Sequence, residues 1–252
     1  MVLGSTDGPL WDPGAVPAAT VVVLRDGPDG PEVLLLRRDS RLRFAGGAWV
    51  FPGGRIDPVD RTDPPGRSGP DDRTADELLE AAARRAAVRE AAEEAGVSLD
   101  ETRLLRWSHW TPPPREDRRF STAFFCAALD DAGATITVDD GEIREHRWVR
   151  PSVALELRDS GELSLTPPTY ITLVQLAAHP SVDAALEWAR TTPSEHFATR
   201  IAVQGDRWIA LYHGDVAYTA DDPSAEVDRP GPRHRLTMGL TWTYERSDRG
   251  TT

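Results

Sequence analysis

The chain has 252 residues, a formal net charge of −12, and is 39% hydrophobic and 28% charged. That length can bury a sizeable core, and the composition is that of a globular protein. It holds no apolar run near the roughly 18 residues of a membrane span, and its acidity excludes general nucleic-acid binding through phosphate neutralisation.

In chain order, "AATVVVLRD" (18–26) and "EVLLLRR" (32–38) are apolar, β-branched runs joined by "GPDGP", which predicts a hairpin. A Gly-rich turn region with a short extended piece at 48–51 comes next. Residues 57–73 hold four prolines and two glycines among many charges, the composition of a flexible surface loop. Thr74 and Glu77 form a capping-box pattern, so a helix is expected from there to about Ala95. Strands are expected at 102–110, 120–129 and 142–150, with helices near 151–158, 168–179 and through "VDAALEWAR". Beyond these, "TRIAVQG", "DRWIALYHG" and "HRLTMGLTWTYER" are strand-like again. This mixture predicts a layered α/β domain over 1–179, with an insertion at about 55–75, and a β-rich C-terminal extension over 180–252.

The single cysteine, Cys126, excludes an internal disulfide and fits a reducing cytosol. It lies in the apolar run "AFFCAAL", which predicts a buried, inert thiol. The opening residues have no basic segment leading into a long apolar one, so no secretory leader is expected and a cytoplasmic location is. Every one of the 29 basic residues is arginine. Any phosphate clamp in this chain is therefore arginine, and no lysine can act as base.

The stretch "AVREAAEEAGV" (87–97) concentrates chemistry. It ends a helix at a glycine, yet places Glu90, Glu93 and Glu94 near that end, where the helix dipole favours cations. The three acids sit three and four residues apart and repel on one face. Oxygen ligands at this spacing suit a hard divalent cation, which would relieve the repulsion. An upstream "FPGG" (51–54) can bring backbone close to such a cluster, since glycine has no Cβ.

"REAAEEAGV" and the upstream "FPGG" together resemble the Nudix hydrolase box, G-x5-E-x7-R-E-U-x-E-E-x-G-U, with Ala91 a small stand-in at the first apolar position. The resemblance implies an α/β/α sandwich around a mixed sheet and Mg2+- or Mn2+-dependent hydrolysis of a nucleoside-diphosphate-linked substrate. It assigns metal ligation to Glu90, Glu93 and Glu94, with a Gly53 carbonyl nearby, and has Arg89 position one of these carboxylates. It implies a late carboxylate as well, for which Glu142, six residues before Trp148, has the matching spacing and Glu145 is the alternative. A homodimer follows from the same resemblance. Two departures stand out. Gly54 and Arg89 are separated by 34 residues, 21 more than in the usual box, and Ala81 occupies the place of the first box glutamate. That glutamate normally holds the arginine; Glu80, Glu77, Asp57 or Asp60 could replace it.

The preceding stretch "LLLRRDSRLRFAGGAWVFPGG" is similar to the coenzyme A diphosphatase signature, with Leu34, Leu35, Arg38, Arg43, Gly47 and Phe51–Gly54 at matching positions. Leu36 and Asp39 depart from it. The implied reaction cleaves coenzyme A or acyl-coenzyme A to 3′,5′-ADP and (acyl-)4′-phosphopantetheine. Arg38 and Arg43 could each form forked, charge-assisted hydrogen bonds to its phosphates, with Gly54 and Arg55 beside them. Pro112, fifteen residues after Val97, resembles instead the ADP-ribose and ADP-sugar members, and Trp110 could stack on an adenine. A third reading, prompted by Ala81, is a non-catalytic ligand-binding module of the same fold.

Overall fold

The computed structural model describes residues 10–42, 45–62, 73–114, 119–129, 135–138 and 141–247. The expected hairpin is present: β1 (Val16–Gly27) pairs antiparallel with β2 (Gly30–Arg38). Two short strands follow, β3 (Trp49–Val50) and β4 (Gly53–Arg55), then a 3-10 turn over Pro58–Arg61. The long helix α1 (Ala75–Ala95) starts at the Thr74–Glu77 capping box and stops at Gly96, whose φ of 67° is the left-handed cap that glycine adopts without cost.

Strands β5 (Leu105–Thr111), β6 (Phe120–Ala128) and β7 (Ile143–Val149) lead into helices α2 (Pro151–Asp159), α3 (Pro167–Leu176) and α4 (Val182–Thr191). A short strand with no counterpart in the sequence reading, β8 (Glu195–Ala198), then pairs parallel with β5. Among the described residues the main sheet runs β3-β2-β1-β6-β5-β8, with β4 beside β1 and β7 beside β2. Its β1–β6 and β5–β8 pairs are parallel; the others are antiparallel.

Both faces of this sheet are covered, which is why β1 reads as an unbroken apolar run. Ala19, Val21 and Val23 face α1 and its row of buried alanines (Ala82, Ala83, Ala86, Ala87, Ala91). Val22 and Leu24 face the opposite core, with Trp107, Trp110 and Phe197 and residues of α2, α3 and α4. The tail forms a second, antiparallel sheet from β9 (Arg200–Gln204), β10 (Arg207–Leu211), β11 (His234–Met238) and β12 (Thr243–Arg246), with a short α5 (Pro223–Glu226) beside β9. Tyr212, just after β10, packs its ring edge-on against Trp110 and Phe197 and so joins this sheet to the second core.

The expected division near residue 179, with the extension packed on the first domain, falls between α3 and α4; α4 packs on β5 and β6, and β8 extends the main sheet. The separate small sheet begins at Arg200. Cys126 is fully buried, and burial pushes its thiol up to about 12. Among the described residues no helix is long and apolar enough to cross a membrane.

Candidate active site

The alanine face of α1 lets the helix lie close against β1 and β4, because its row of buried alanines contributes only methyl groups to that contact. This approach carries the helix's acidic end onto the glycine pair of β4. A Cβ on Gly53 would stand 2.5 Å from the Ala19 carbonyl oxygen. One on Gly54 would stand 2.4 Å from Glu90 Oε1. Gly53 is therefore required by the backbone packed against it, and Gly54 leaves room for the Glu90 carboxylate in its observed position.

Glu94 is buried, and the Gly53 N–H donates to its Oε2 at 2.9 Å. Gly53 thus meets the acidic cluster through its N–H. Burial pushes the Glu94 carboxyl up to about 8 despite that hydrogen bond, and the charges of Glu90 and Glu142 push the same way. Glu90 is also raised, again chiefly by desolvation, with Arg89 opposing. Glu142 accepts from Arg38 Nη2 at 3.2 Å, and Arg38 favours the ionised form of Glu94. Glu90, Glu94, Glu142 and Arg38 are therefore close enough to act on one another electrostatically.

Arg89 organises the other half of the site. Its Nη1 donates to Glu90 Oε1 and to Glu93 Oε2, both at 2.9 Å. Its Nη2 donates to Asp60 Oδ2 at 2.8 Å and its Nε to Asp60 Oδ1 at 3.1 Å, a two-point pair. The Arg55 carbonyl accepts a further bond from Nη2 at 3.1 Å. The Asp60 hydrogen bonds are the main reason the guanidinium is held firmly in its charged form.

Of the four acids that could stand in for the missing box glutamate, Asp60 is the one bonded to Arg89. Glu80 pairs with Arg106 and Arg84, and Glu77 is engaged in the helix cap. Asp57 pairs with Arg55. Asp60 is positioned by its own turn: the Asp57 N–H donates to Asp60 Oδ2 at 2.8 Å, and Arg85 Nε donates to the Asp60 carbonyl at 2.6 Å. The sequence signal for this was "DPVD", a Pro-started turn with an acid three residues after the cap.

The remaining expected site residues are scattered. The Arg55 side chain is exposed and turned to Asp57. Trp110 is 4% exposed, stacked on Phe197 with ring centroids 4.1 Å apart, and its Nε1 donates to Ser108 Oγ. No face of the indole is open to a base, so the adenine-stacking expectation for Trp110 does not fit the structure; both faces of β5 are covered. Pro112 is half-buried and its carbonyl accepts from Arg119 Nη2. Arg43 lies outside the described residues.

The donor set at the α1 end consists of carboxylate oxygens, and its buried members resist ionising when no cation is present. That chemistry fits a hard divalent cation. Among the described residues no three acidic side chains already converge as a formed cage, because Arg89 draws Glu90 and Glu93 to itself.

A layered α/β protein with an arginine-ordered carboxylate cluster at a helix end, seated on a glycine pair, is the class that fold and site define. The NUDIX domain model matches residues 15–167, and the chain belongs to the Nudix family. A Caenorhabditis elegans protein named nudix hydrolase 7 is 26% identical over 180 residues, 58% of this chain and 55% of that protein. The Gallus gallus acyl-coenzyme A diphosphatase NUDT19 is 30% identical over 130 residues, 47% of this chain and 33% of that protein. A NUDIX hydrolase crystal structure from Alicyclobacillus acidocaldarius superposes with a TM-score of 0.57 at 27% identity, covering 69% of this chain and 96% of that one. The chain spans about half or less of the length of these curated relatives.

Proposed function

We propose that the protein is a divalent-metal-dependent diphosphatase that cleaves coenzyme A or acyl-coenzyme A to 3′,5′-ADP and (acyl-)4′-phosphopantetheine. The observation that carries the hydrolase reading is the Asp60–Arg89 pair, which orders Glu90 and Glu93 although the box glutamate is missing. A structural module would have no need to rebuild that clamp from another segment. The coenzyme A reading draws support from the "LLLRRDSRLRFAGGAWVFPGG" stretch and from the likeness to an acyl-coenzyme A diphosphatase.

Glu90, Glu93 and Glu94 would hold the cation, with Glu142 alongside. When bound, Mg2+ or Mn2+ supplies charge neutralisation at the diphosphate and lowers the pKa of water. Arg89, fixed by Asp60, keeps Glu90 and Glu93 on the substrate side of α1. Glu94, tied to the Gly53 N–H, joins the helix end to the glycine turn. Burial raises Glu90 and Glu94 in the metal-free protein; Glu90 would act as a metal ligand, as the base for the attacking water, or as both. Arg38 offers positive charge to a phosphate beside this cluster.

A magnesium-dependent screen of coenzyme A, acyl-coenzyme A, ADP-ribose, NADH and nucleoside triphosphates tests the reading. Coenzyme A or its acyl form should give the highest kcat/KM. Turnover of ADP-ribose without turnover of coenzyme A would reassign the substrate, and binding without any metal-dependent turnover would make the protein a sensor.

A further inference from the structure

Asp39, the residue that departs from the diphosphatase signature, is buried just beyond the end of β2. There the pairing with β7 is irregular. The two strands run in regular antiparallel register from Val33 opposite Val149 to Arg37 opposite Glu145, and the register then shifts so that Arg38 stands opposite Ile143. Arg144 is the extra residue of this bulge. A bulge re-aims the chain around it: Ile143 enters the core under α1, and Glu142 comes beside Arg38.

Asp39 holds the bulge at two points. Its N–H donates to the Glu142 carbonyl at 2.7 Å. Its carboxylate accepts from Arg144 Nε at 2.6 Å and also from Arg144 Nη2. The residues on either side of Ile143 are thus tied to one aspartate. The same carboxylate accepts from the Arg41 N–H at 2.8 Å and from Arg41 Nη2 at 2.8 Å, which closes its own turn. Both oxygens are engaged and the side chain is buried, so Asp39 is not itself a ligand for a cation. What it reaches is Glu142. That carboxylate accepts from Arg38 Nη2 at 3.2 Å, and its charge acts on Glu94. The Glu142 side chain is 60% exposed, so little packing surrounds it and the hold on its backbone matters.

We propose that Asp39 is a positioning residue for the metal site: by holding Arg144 and the Glu142 backbone together, it fixes the β7 bulge and keeps the Glu142 carboxylate beside Glu94. An aspartate suits this place because one ionised carboxylate accepts from a guanidinium and from backbone N–H groups at once. A neutral side chain of the same size offers Arg144 no counter-charge. The inference rests on the divalent-metal reading above, in which Glu142 stands alongside the cation. Groups that orient a ligand without touching the metal contribute about tenfold or more to its affinity.

The test uses Mn2+ alone and needs no turnover. Its affinity is read from the electron paramagnetic resonance signal of the free ion for wild type, Asp39→Asn, Glu142→Gln and the double variant, with circular dichroism to verify folding. Asp39→Asn and Glu142→Gln should each weaken binding roughly tenfold, and the double variant should match Glu142→Gln within about twofold, because both changes act through one carboxylate. A merely structural loss would instead add in full on the Glu142→Gln background. Arg144→Gln releases the same brace from a side chain that is 40% exposed. It should reproduce the loss, and it carries the test if Asp39→Asn does not fold. Wild-type affinity in folded Asp39→Asn, Arg144→Gln or Glu142→Gln, or full additivity in the double variant, overturns the role of Asp39. If wild-type protein binds no Mn2+, the metal reading falls and this inference with it. If it binds Mn2+ and the cycle shows the coupling while coenzyme A is not cleaved, the positioning role stands and only the assigned reaction fails.

Discussion

Arg89 and Asp60, 29 residues apart in sequence, meet in a two-point ion pair (Nη2–Oδ2 2.8 Å, Nε–Oδ1 3.1 Å) in which the aspartate is 4% exposed. A residue preceding the insertion thus performs the task that the box glutamate would perform from within α1. Replacing Asp60 with Asn should leave Arg89 with a weaker partner and cost about 3 kcal/mol of stability, as for a broken, largely buried pair. Turnover should fall by roughly tenfold or more, with KM changing less, since the acids lose their alignment. Calorimetric melting and steady-state kinetics measure the two effects; unchanged turnover in a folded variant would remove Asp60 from the active-site machinery.

Glu93→Gln and Glu94→Gln should each lower kcat by roughly two or more orders of magnitude, and excess chelator should abolish wild-type turnover. Glu94 also makes a stability prediction of opposite sign. Its folded pKa, about 8, lies above its ordinary 4.5. Proton release therefore opposes folding of the metal-free protein, increasingly from pH 4.5 to 8 and fully above that. Without metal, the Gln variant should melt higher than wild type at pH 8 and close to it at pH 4. Wild type should gain more melting temperature from Mg2+ at pH 8 than at pH 5, because ligation requires the ionised carboxylates.

Gly54→Ala would place its Cβ 2.4 Å from Glu90 Oε1. Glu90 must then move, and activity should fall by about tenfold or more. The stability loss should stay within about 1–3 kcal/mol, the range for a single overpacked methyl. A fully active Gly54→Ala enzyme would mean that the observed Glu90 position is dispensable.

The covered face of β5 predicts acid sensitivity. Burial pushes His196 down to about 4 from its ordinary 6.5, with Arg106 adding to the effect and Asp12 opposing it. Burial likewise holds neighbouring His109 well below 6.5. These neutral imidazoles hydrogen-bond Thr111 and Ser121. A depressed pKa gives stability that is complete above 6.5 and is lost as pH falls through about 4. For His196 alone the loss is on the order of 3 kcal/mol. His196→Gln should flatten part of the decline in melting temperature across that window, and an unaltered slope would show that these histidines do not govern it.

Much of this was legible beforehand, because the signals were local. The Thr74–Glu77 capping box, Gly96 and the acid spacing fixed both ends and the chemistry of α1. The alternating and continuous apolar runs of β1, β2, β6 and β10 reflect covered faces. What escaped was set by distant partners. The four residues of β8 carry no periodic signal and become a strand only because β5 offers a free edge for parallel pairing. Trp110 was a candidate both for adenine stacking and for core or rim packing, and the choice depends on Phe197 and Tyr212, about 90 and 100 residues onward. Among four acids, choosing Asp60 required knowing that its turn folds back beneath Arg89.

The Pro58–Arg61 turn and the Thr74 cap are each closed by their own hydrogen bonds, on either side of the inserted stretch. Sequence added between two such self-contained anchors should disturb neither, since doubling the length of a connection costs only about 0.6 kcal/mol. The connection between Thr62 and Arg73 is therefore where a fluorophore, an affinity handle or a whole guest domain could be spliced into this chain while its arginine clamp stays intact.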